Sequence, residues 1–341
     1  MKQKQKPMLK CAIVILNWNG IQFLKEFLPV AIKNTSANSE IIIADNGSTD
    51  KSLELLENDF PSLRVIKLDK NYGFTGGYNK SLAQIEAEYY ILLNSDVEVT
   101  PNWDVPLLDI LDTRPEVGAV MPKMLSYYNH SEFEYAGAAG GFLDKYGYPF
   151  CRGRVFHTLE QDNGQYDGIH EVFWATGACL TVRAGLYHQL GGLDDILFAH
   201  MEEIDFCWKL HHLQYKVIVT SDSVVYHLGG GTLPKYSPKK SYLNFRNNLI
   251  LLYKNLPNHL HPKIYIARIV LDVIAAFYFL ANLNFSGFYI VFKAHIVFNY
   301  FRLSGKIKRV ANPNPTPALI NKNTVFLYFL KGKKSFEEII S

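Results

Sequence analysis

Apolar positions in the first hundred residues come in short continuous runs rather than in strict alternation. "CAIVIL" (11–16), "EIIIAD" (40–45), "RVIKL" (64–68) and "YYILLN" (89–94) each have the length of a strand and are apolar on both faces. Helical patterns separate them, near Ile21 to Lys33, Ser52 to Asp59 and Gly77 to Glu86. Such strands, alternating with helices, predict an α/β fold with a mostly parallel central sheet covered on both sides. Ligands of open sheets of this kind bind beyond the carboxyl ends of the strands. Three of the runs end there in polar residues: Asn17-Trp18-Asn19-Gly20, Asp45-Asn46-Gly47-Ser48 and Asn94-Ser95-Asp96.

The pattern changes near the other end. Between Lys263 and Arg302 the chain is apolar and aromatic, with no charge from Val273 to Phe292. About 20 apolar residues suffice to span a bilayer, but Asn282, Asn284, Ser286 and Gly287 interrupt this run and predict two helices joined by a turn. The expectation is a hairpin lying in the headgroup region under basic flanks; the alternatives are a buried hairpin and a true span.

Composition sharpens this division. The 341 residues are 48% hydrophobic and 14% aromatic, enough to bury one large core or two modest ones. The net charge of +3 conceals an asymmetry, because Gly229 to Ser341 hold 16 Lys and Arg against three acids. An acidic body of residues 1–230 is thus followed by a basic region, 231–341. That region is expected to meet an anionic surface, and its apolar content favours lipid over nucleic acid. Cys11, Cys151, Cys179 and Cys207 are too far apart for a metal or redox motif and are expected to be core residues in a reducing compartment. "MKQKQKPMLK" is followed only by the short "CAIVIL", a strand and not a signal peptide. The expected location is cytoplasmic, peripheral on the inner face of the cytoplasmic membrane.

Candidate chemistry lies at the strand ends. A carboxylate such as Asp96 there is either a hydrogen-bond partner for a ligand or a ligand for a hard cation. No Gly-x-Gly-x-x-Gly opens the first helix and no lysine follows a glycine loop, which removes support for dinucleotide binding and P-loop phosphoryl transfer. Asn71 to Asn79 carries Gly73, Gly76 and Gly77, where backbone can approach a ligand closely. In "HMEEIDFCWKL", Glu202, Glu203 and Asp205 could simply offset a helix macrodipole. That reading leaves unexplained why Phe198, Phe206 and Trp208 surround them.

Six stretches in order, "AIVILNWNG", "IIIADNGSTD", "NYGFTGGYNKSL", "ILLNSDVEV", "ATGACLTVRAGLYHQLGGLDDILFAHMEEIDFCWKL" and "VVYHLGGGT", resemble family-two glycosyltransferases of the GT-A fold, especially the bacterial rhamnosyltransferase-like branch. The resemblance spans the first two thirds of the chain. It implies a Rossmann-like GT-A domain and transfer of a sugar from a nucleotide-diphosphate donor, dTDP-rhamnose or a UDP-hexose, to a hydroxyl of a glycan or lipid-linked glycan. Asp45 and Asn46 would contact base and ribose, Asn17 and Trp18 would line the same pocket, and Asn71, Gly73, Gly77, Asn94 and Ser95 would complete the donor site. "NSD" stands where the family has Asp-x-Asp, so Asp96 matches the second acid and Asn94 replaces the first. With His227 as a late ligand, Asp96 would hold Mg²⁺ or Mn²⁺ to stabilise the leaving diphosphate. The family's acid-Asp pair becomes Glu202-Glu203, which puts Glu203 in the place of the catalytic base, one methylene longer. Glu202, Asp205 and Arg246 are expected on the acceptor side, with Arg246 meeting a phosphate. Two alternatives remain: a polyprenyl-phosphate sugar synthase, and a non-catalytic nucleotide-sugar-binding scaffold at the membrane.

Overall fold

A computed structural model describes residues 8–229, 237–310 and 319–341. Gly230 to Thr232 of "VVYHLGGGT" and the boundary between 230 and 231 lie outside them.

The chain enters as β1 (Leu9–Asn17), α1 (Ile21–Asn34), β2 (Ser39–Asp45), α2 (Ser52–Asp59), β3 (Arg64–Lys67), α3 (Gly73–Leu82), β4 (Ala87–Asn94), β5 (Val97–Val99), α4 (Asp104–Thr113) and β6 (Val117–Ser126). Four short strands follow: β7 (Gly141–Leu143), β8 (Pro149–Cys151), β9 (Arg154–Val155) and β10 (Thr158–Leu159). Then come β11 (Ile169–Val172), β12 (Cys179–Arg183), α5 (Ala184–Gln189), α6 (Glu202–His212) and β13 (Lys216–His227). The rest is helical: α7 (Pro238–Asn255), α8 (His261–Ala281), α9 (Phe285–Leu303), α10 (Thr324–Phe329) and α11 (Phe336–Ile340).

The described residues form a nine-stranded sheet in the order β11-β13-β6-β12-β4-β1-β2-β3, with β5 added on β13. β3, β2, β1 and β4 are parallel, β12 is antiparallel to β4 and β6, and β13 is parallel to β6. Successive residues of β1 point to opposite faces. Cys11, Ile13 and Ile15 pack with α1, α2 and α4, while Ala12 and Val14 pack with Tyr78 and Leu82 of α3 and with Ile204 and Phe206 of α6. Both faces are buried, as the continuous apolar runs predict. The four cysteines are buried free thiols.

Strand order reverses between β1 and β4, and the crevice of such a sheet opens at that point. Because β13 runs in the same sense as β4, the ends of β1, β2, β4 and β13 share one edge of the sheet. The N-terminus of α6, which turns directly into β13, shares it too.

Helix α3 begins at Gly73, four residues before the position the pattern predicts. Glycine is a poor helix former, but room decides here. A Cβ on Gly77 would stand 2.8 Å from the Leu16 side chain, so only glycine lets the helix lie against the end of β1.

Residues 127–165, which carry no readable motif, build a four-stranded sheet, β10-β9-β8-β7, that receives the end of the chain. Thr324 is held by Asp144 through its backbone N–H (3.0 Å) and hydroxyl (2.8 Å). The Phe336 ring packs on Phe142 and Phe150. The expected hairpin is present, with Asn284 capping α9 through the N–H of Gly287. Arg268 and Asp272 of α8 and Ala294 and Phe298 of α9 face inward and are buried. On the outer face Ile266, Val270, Ile274, Phe277 and Tyr278 of α8 and Tyr289, Ile296 and Tyr300 of α9 are each more than half exposed. The buried-hairpin alternative therefore does not describe the outer face. Helix α8 is also long and apolar enough to cross a membrane.

Candidate active site

The ends of β1 and β2 are tied together. Asn17 Nδ2 donates to Asp45 Oδ2 (3.0 Å) and Ser48 Oγ (3.1 Å), and Asp45 Oδ1 accepts from the Ser48 N–H (2.9 Å). Asp45 thus makes the Asx turn that "DNGS" suggests, beside the fully buried Asn17, whose Oδ1 has no partner among the described residues. Asn46 reaches the other way. Its Oδ1 accepts from the Tyr72 N–H, and its Nδ2 donates to Asn71 Oδ1 (3.1 Å) and the Gly73 carbonyl (2.9 Å). The expected donor-side residues Asn17, Asp45, Asn46, Asn71 and Gly73 are therefore joined by hydrogen bonds at the ends of β1 and β2, Gly77 packs beside Asn46, and the neighbouring Trp18 is exposed. Asn46 spends both ends of its amide on bracing the loop into α3.

Asn94 and Ser95 are half-buried at the end of β4, and Asp96 is buried. Asp96 Oδ1 lies 3.2 Å from His227 Nε2, although 130 residues separate them in sequence. β13 makes this contact by pairing His227 with Val97. The other ring nitrogen, Nδ1, is 3.3 Å from Glu134 Oε1. Burial opposes a charge on the ring, but Glu134 and Asp96 outweigh it and push His227 up to about 10. Two ligands of one octahedral ion, on bonds of about 2.1 Å, stand roughly 3 Å apart. At 3.2 Å the two form an ion pair, and a cation between them would have to displace the ring proton, after which one oxygen and one imidazole donor would suit Mn²⁺ or Mg²⁺. Among the described residues no group of three or more His, Cys, Asp and Glu forms a closed cage, so an ion here would take its remaining ligands from diphosphate and water.

Glu203 sits in the first turn of α6. It is half-buried, with Oε2 unpartnered among the described residues, and burial lifts it to about 7. Glu202 is buried, and burial together with the negative Glu203 raises it further. A side chain on Gly177 would touch both Glu203 and the Phe74 ring, and the next residue, Ala178, accepts from the Asn94 N–H through its carbonyl (2.9 Å). Helix α6 is thereby placed beside the end of β4. The approach to it is strained: Phe198, His200 and Met201 all have positive φ (65°, 68° and 74°), a conformation costly for residues with a Cβ.

Arg246 and Asp205 correct the expectation that placed them on the acceptor. The Arg246 guanidinium is buried and donates to the carbonyls of Ile196 and Leu197 (both 3.1 Å). Its neighbour Asn247 donates from Nδ2 to the carbonyls of Leu197, Ala199 and His200. Together these two residues of α7 grip the strained segment. Asp205 is fully buried and accepts from Lys254 Nζ (2.7 Å) and Asn255 Nδ2 (2.9 Å), with Lys209 Nζ 3.1 Å away. Burial alone would raise its pKa; Lys209, Lys254 and Asn255 hold it well below the carboxylate range. Asp205 joins α6 to α7. Sequence reasoning missed Asn247, Lys254 and Glu134. Asn247 stands next to the expected Arg246, while Glu134 belongs to no pattern at all.

A twisted, mostly parallel sheet with polar strand ends converging on Asp96, His227 and a carboxylate-bearing helix defines a GT-A glycosyltransferase fold. Residues 12–176 match the model of the family described as Glycosyl transferase family 2. The chain is 26% identical over 236 residues to the N-acetylglucosaminyl-diphospho-decaprenol L-rhamnosyltransferase of Mycobacterium tuberculosis, covering 64% of this chain and 76% of that one. Two solved structures share the fold. GalNAc-T7 with UDP, GalNAc and Mn²⁺ has a TM-score of 0.57 at 15% identity, over 74% of this chain and 49% of that one. S. aureus TarS 1-349 with UDP-GlcNAc has a TM-score of 0.51 at 16% identity, over 75% and 70%.

Proposed function

We propose that the protein is an inverting, metal-dependent glycosyltransferase of cell-surface polysaccharide synthesis. It moves a sugar, rhamnose from dTDP-rhamnose or a hexose from a UDP donor, to a hydroxyl of a lipid-linked glycan. The observation that carries this reading is Glu203, whose Oε2 has no partner among the described residues and whose carboxyl is lifted to about 7 by burial, beside the end of β4. In the proposed single displacement Glu203 takes the proton of the acceptor hydroxyl, and that oxygen bonds to the anomeric carbon on the face opposite the diphosphate. The bond from anomeric carbon to diphosphate oxygen breaks, the nucleoside diphosphate leaves and the configuration inverts. Asn17, Trp18, Asp45 and the Asn71–Gly77 loop shape the donor pocket, Asn46 braces it, and Asn94 and Ser95 border it. Glu202, beside the base, lines the acceptor side. Asp96 and His227 would hold Mg²⁺ or Mn²⁺, which when bound stabilises the charge gained by the diphosphate.

The bare face of the α8–α9 hairpin supports a place on an anionic membrane surface. Exposed apolar side chains of both helices stand there, and Lys263, Lys293, Lys306 and Lys308 on and beside the same helices are exposed as well, the combination that binds an interface rich in acidic lipid. A lipid-linked acceptor would then be met where it resides, on the cytoplasmic face. Product analysis tests the reading: the sugar should appear on the lipid-linked glycan with inverted anomeric configuration, and retained configuration would overturn the displacement.

A further inference from the structure

With Arg246 committed to the carbonyls of Ile196 and Leu197, the charge that meets an acceptor phosphate must come from another residue. Lys239, in the first turn of α7, is exposed, and its ammonium stands 5.0 Å from the centre of the Phe198 ring. Phe198 opens the strained segment that leads into Glu203, and its carbonyl accepts from the N–H of Phe74 at the start of α3 (3.1 Å). Lys239 is thereby placed beside both the donor loop and the approach to the base.

One turn further along α7 is Tyr242, a neighbour of Lys239 on the helix surface. The ammonium of the exposed Lys293, from α9, stands 5.1 Å from the centre of the Tyr242 ring. Tyr289 and Ile296, one turn to either side of Lys293, belong to the bare apolar face of the hairpin. The two lysines thus lead from the strained segment to that face. Neither is neutralised by a carboxylate among the described residues, where the ion pairs of α7, α8 and α9 are Lys254 with Asp194 and Asp205, Arg268 with Asp272, and His295 with Asp272. An aromatic ring attracts an ammonium without cancelling its charge, so both lysines remain available to an anion.

An acceptor whose sugar is joined to lipid through a diphosphate carries its negative charge between the reacting hydroxyl and the apolar tail. The protein presents the matching order: carboxylate base, two ammonium groups, apolar surface. We propose that Lys239 and Lys293 bind the diphosphate of the acceptor, which lays the tail on the bare face of α8 and α9 and brings the sugar hydroxyl to Glu203. This inference rests on the reading of the protein as a transferase acting on a lipid-linked glycan. It makes the linkage a determinant of specificity, since the same sugar on an uncharged lipid lacks the group that the ammonium ions hold.

The test is calorimetric binding of a short prenyl diphosphate to the full chain in neutral detergent, without divalent cation, which keeps the Asp96–His227 site out of the measurement. Wild type should bind the diphosphate more tightly than the corresponding prenyl alcohol. Lys239→Gln and Lys293→Gln should each weaken diphosphate binding by about 10- to 100-fold and leave binding of the alcohol as it was. Undiminished diphosphate binding in either variant, or equal affinity of wild type for diphosphate and alcohol, would overturn the proposal. Vesicles of phosphatidylglycerol separate the acceptor from bulk headgroups. Lys239→Gln should bind them as wild type does, and a loss equal to that for prenyl diphosphate would assign the lysine to headgroups and overturn the proposal. In transfer assays with the lipid-linked acceptor, the loss in Lys239→Gln should fall on acceptor KM rather than on kcat. Transfer with acceptor KM unchanged would overturn the proposal and leave the transferase standing. Lysine-dependent binding of prenyl diphosphate without transfer from any donor would instead overturn the transferase reading.

Discussion

The position of Glu203 fixes a pH dependence that can be worked out in advance. An ordinary glutamate titrates near 4.5, and burial lifts Glu203 to about 7. Only the carboxylate accepts the proton of an acceptor hydroxyl, so kcat/KM should rise with pH through 7. Roughly one molecule in ten has an ionised base at pH 6 and about nine in ten at pH 8, which gives a limb of about tenfold per pH unit below 7 and a plateau above 8. An unperturbed glutamate would be ionised throughout that range and the profile would be flat. Glu202 supplies an internal control. Burial and the neighbouring Glu203 hold its carboxyl well above the ordinary glutamate value. Glutamine imitates the uncharged form. Glu202→Gln should therefore leave the limb near 7, while Glu203→Gln should lower the rate by about 10²- to 10⁴-fold on the plateau above pH 8 and leave a flat profile. The assay is release of nucleoside diphosphate from pH 5.5 to 9 at sub-saturating donor. A flat profile in wild type, or a limb that survives in Glu203→Gln, would refute the reasoning.

Three further outcomes follow from the same structure. Lys254→Met leaves Asp205 buried without its 2.7 Å partner and should cost about 3–5 kcal/mol in denaturant unfolding; a loss under about 1 kcal/mol would contradict the pairing. Because the folded-state pKa of Asp205 is depressed below 3.8, the stability it contributes should be present above pH 4 and fall away on acidification below that. Asn247→Ala frees three carbonyls of the strained segment before Glu203, so kcat should fall more than donor affinity; equal kcat in variant and wild type would show that the segment holds itself. Ile266→Ser/Ile274→Ser removes two exposed apolar side chains of α8, each worth on the order of 1.5–3 kcal/mol when buried. Co-sedimentation with anionic vesicles should drop at least tenfold, and unchanged binding would exclude that face from contact.

Much of this architecture is legible in the chain because its physics is local. Runs such as "CAIVIL" divide odd from even residues onto two faces, and both faces turn out to be apolar clusters. The hairpin turn is written in Asn282 and Asn284. The start of α3 is less legible, since glycine reads as loop while the need for room beside Leu16 exists only in three dimensions. The acceptor side misled for a related reason. A charged residue announces its charge but not its partner, and Asp205 finds Lys254 across 49 residues, just as Arg246 finds carbonyls 49 and 50 residues earlier. Glu134 had no signal, because its meaning comes from a strand, β13, that arrives 90 residues later. Which face of α8 stays bare was equally hidden, because the buried face is the one that carries Arg268 and Asp272, whose partners Asn248, Tyr148 and His295 come from elsewhere in the fold, while the apolar side chains stay outside.

The central claim is sugar transfer that depends on Glu203. Its most direct test is to incubate the full chain with Mn²⁺, a panel of dTDP-, UDP- and GDP-sugars and a lipid-linked N-acetylglucosamine diphosphate acceptor, and to read nucleoside diphosphate release together with the mass of the lipid product. One donor should turn over, only with acceptor present, adding one sugar to the lipid, and Glu203→Gln should abolish it. Donor binding without turnover across the whole panel, or turnover undiminished in Glu203→Gln, would contradict the account.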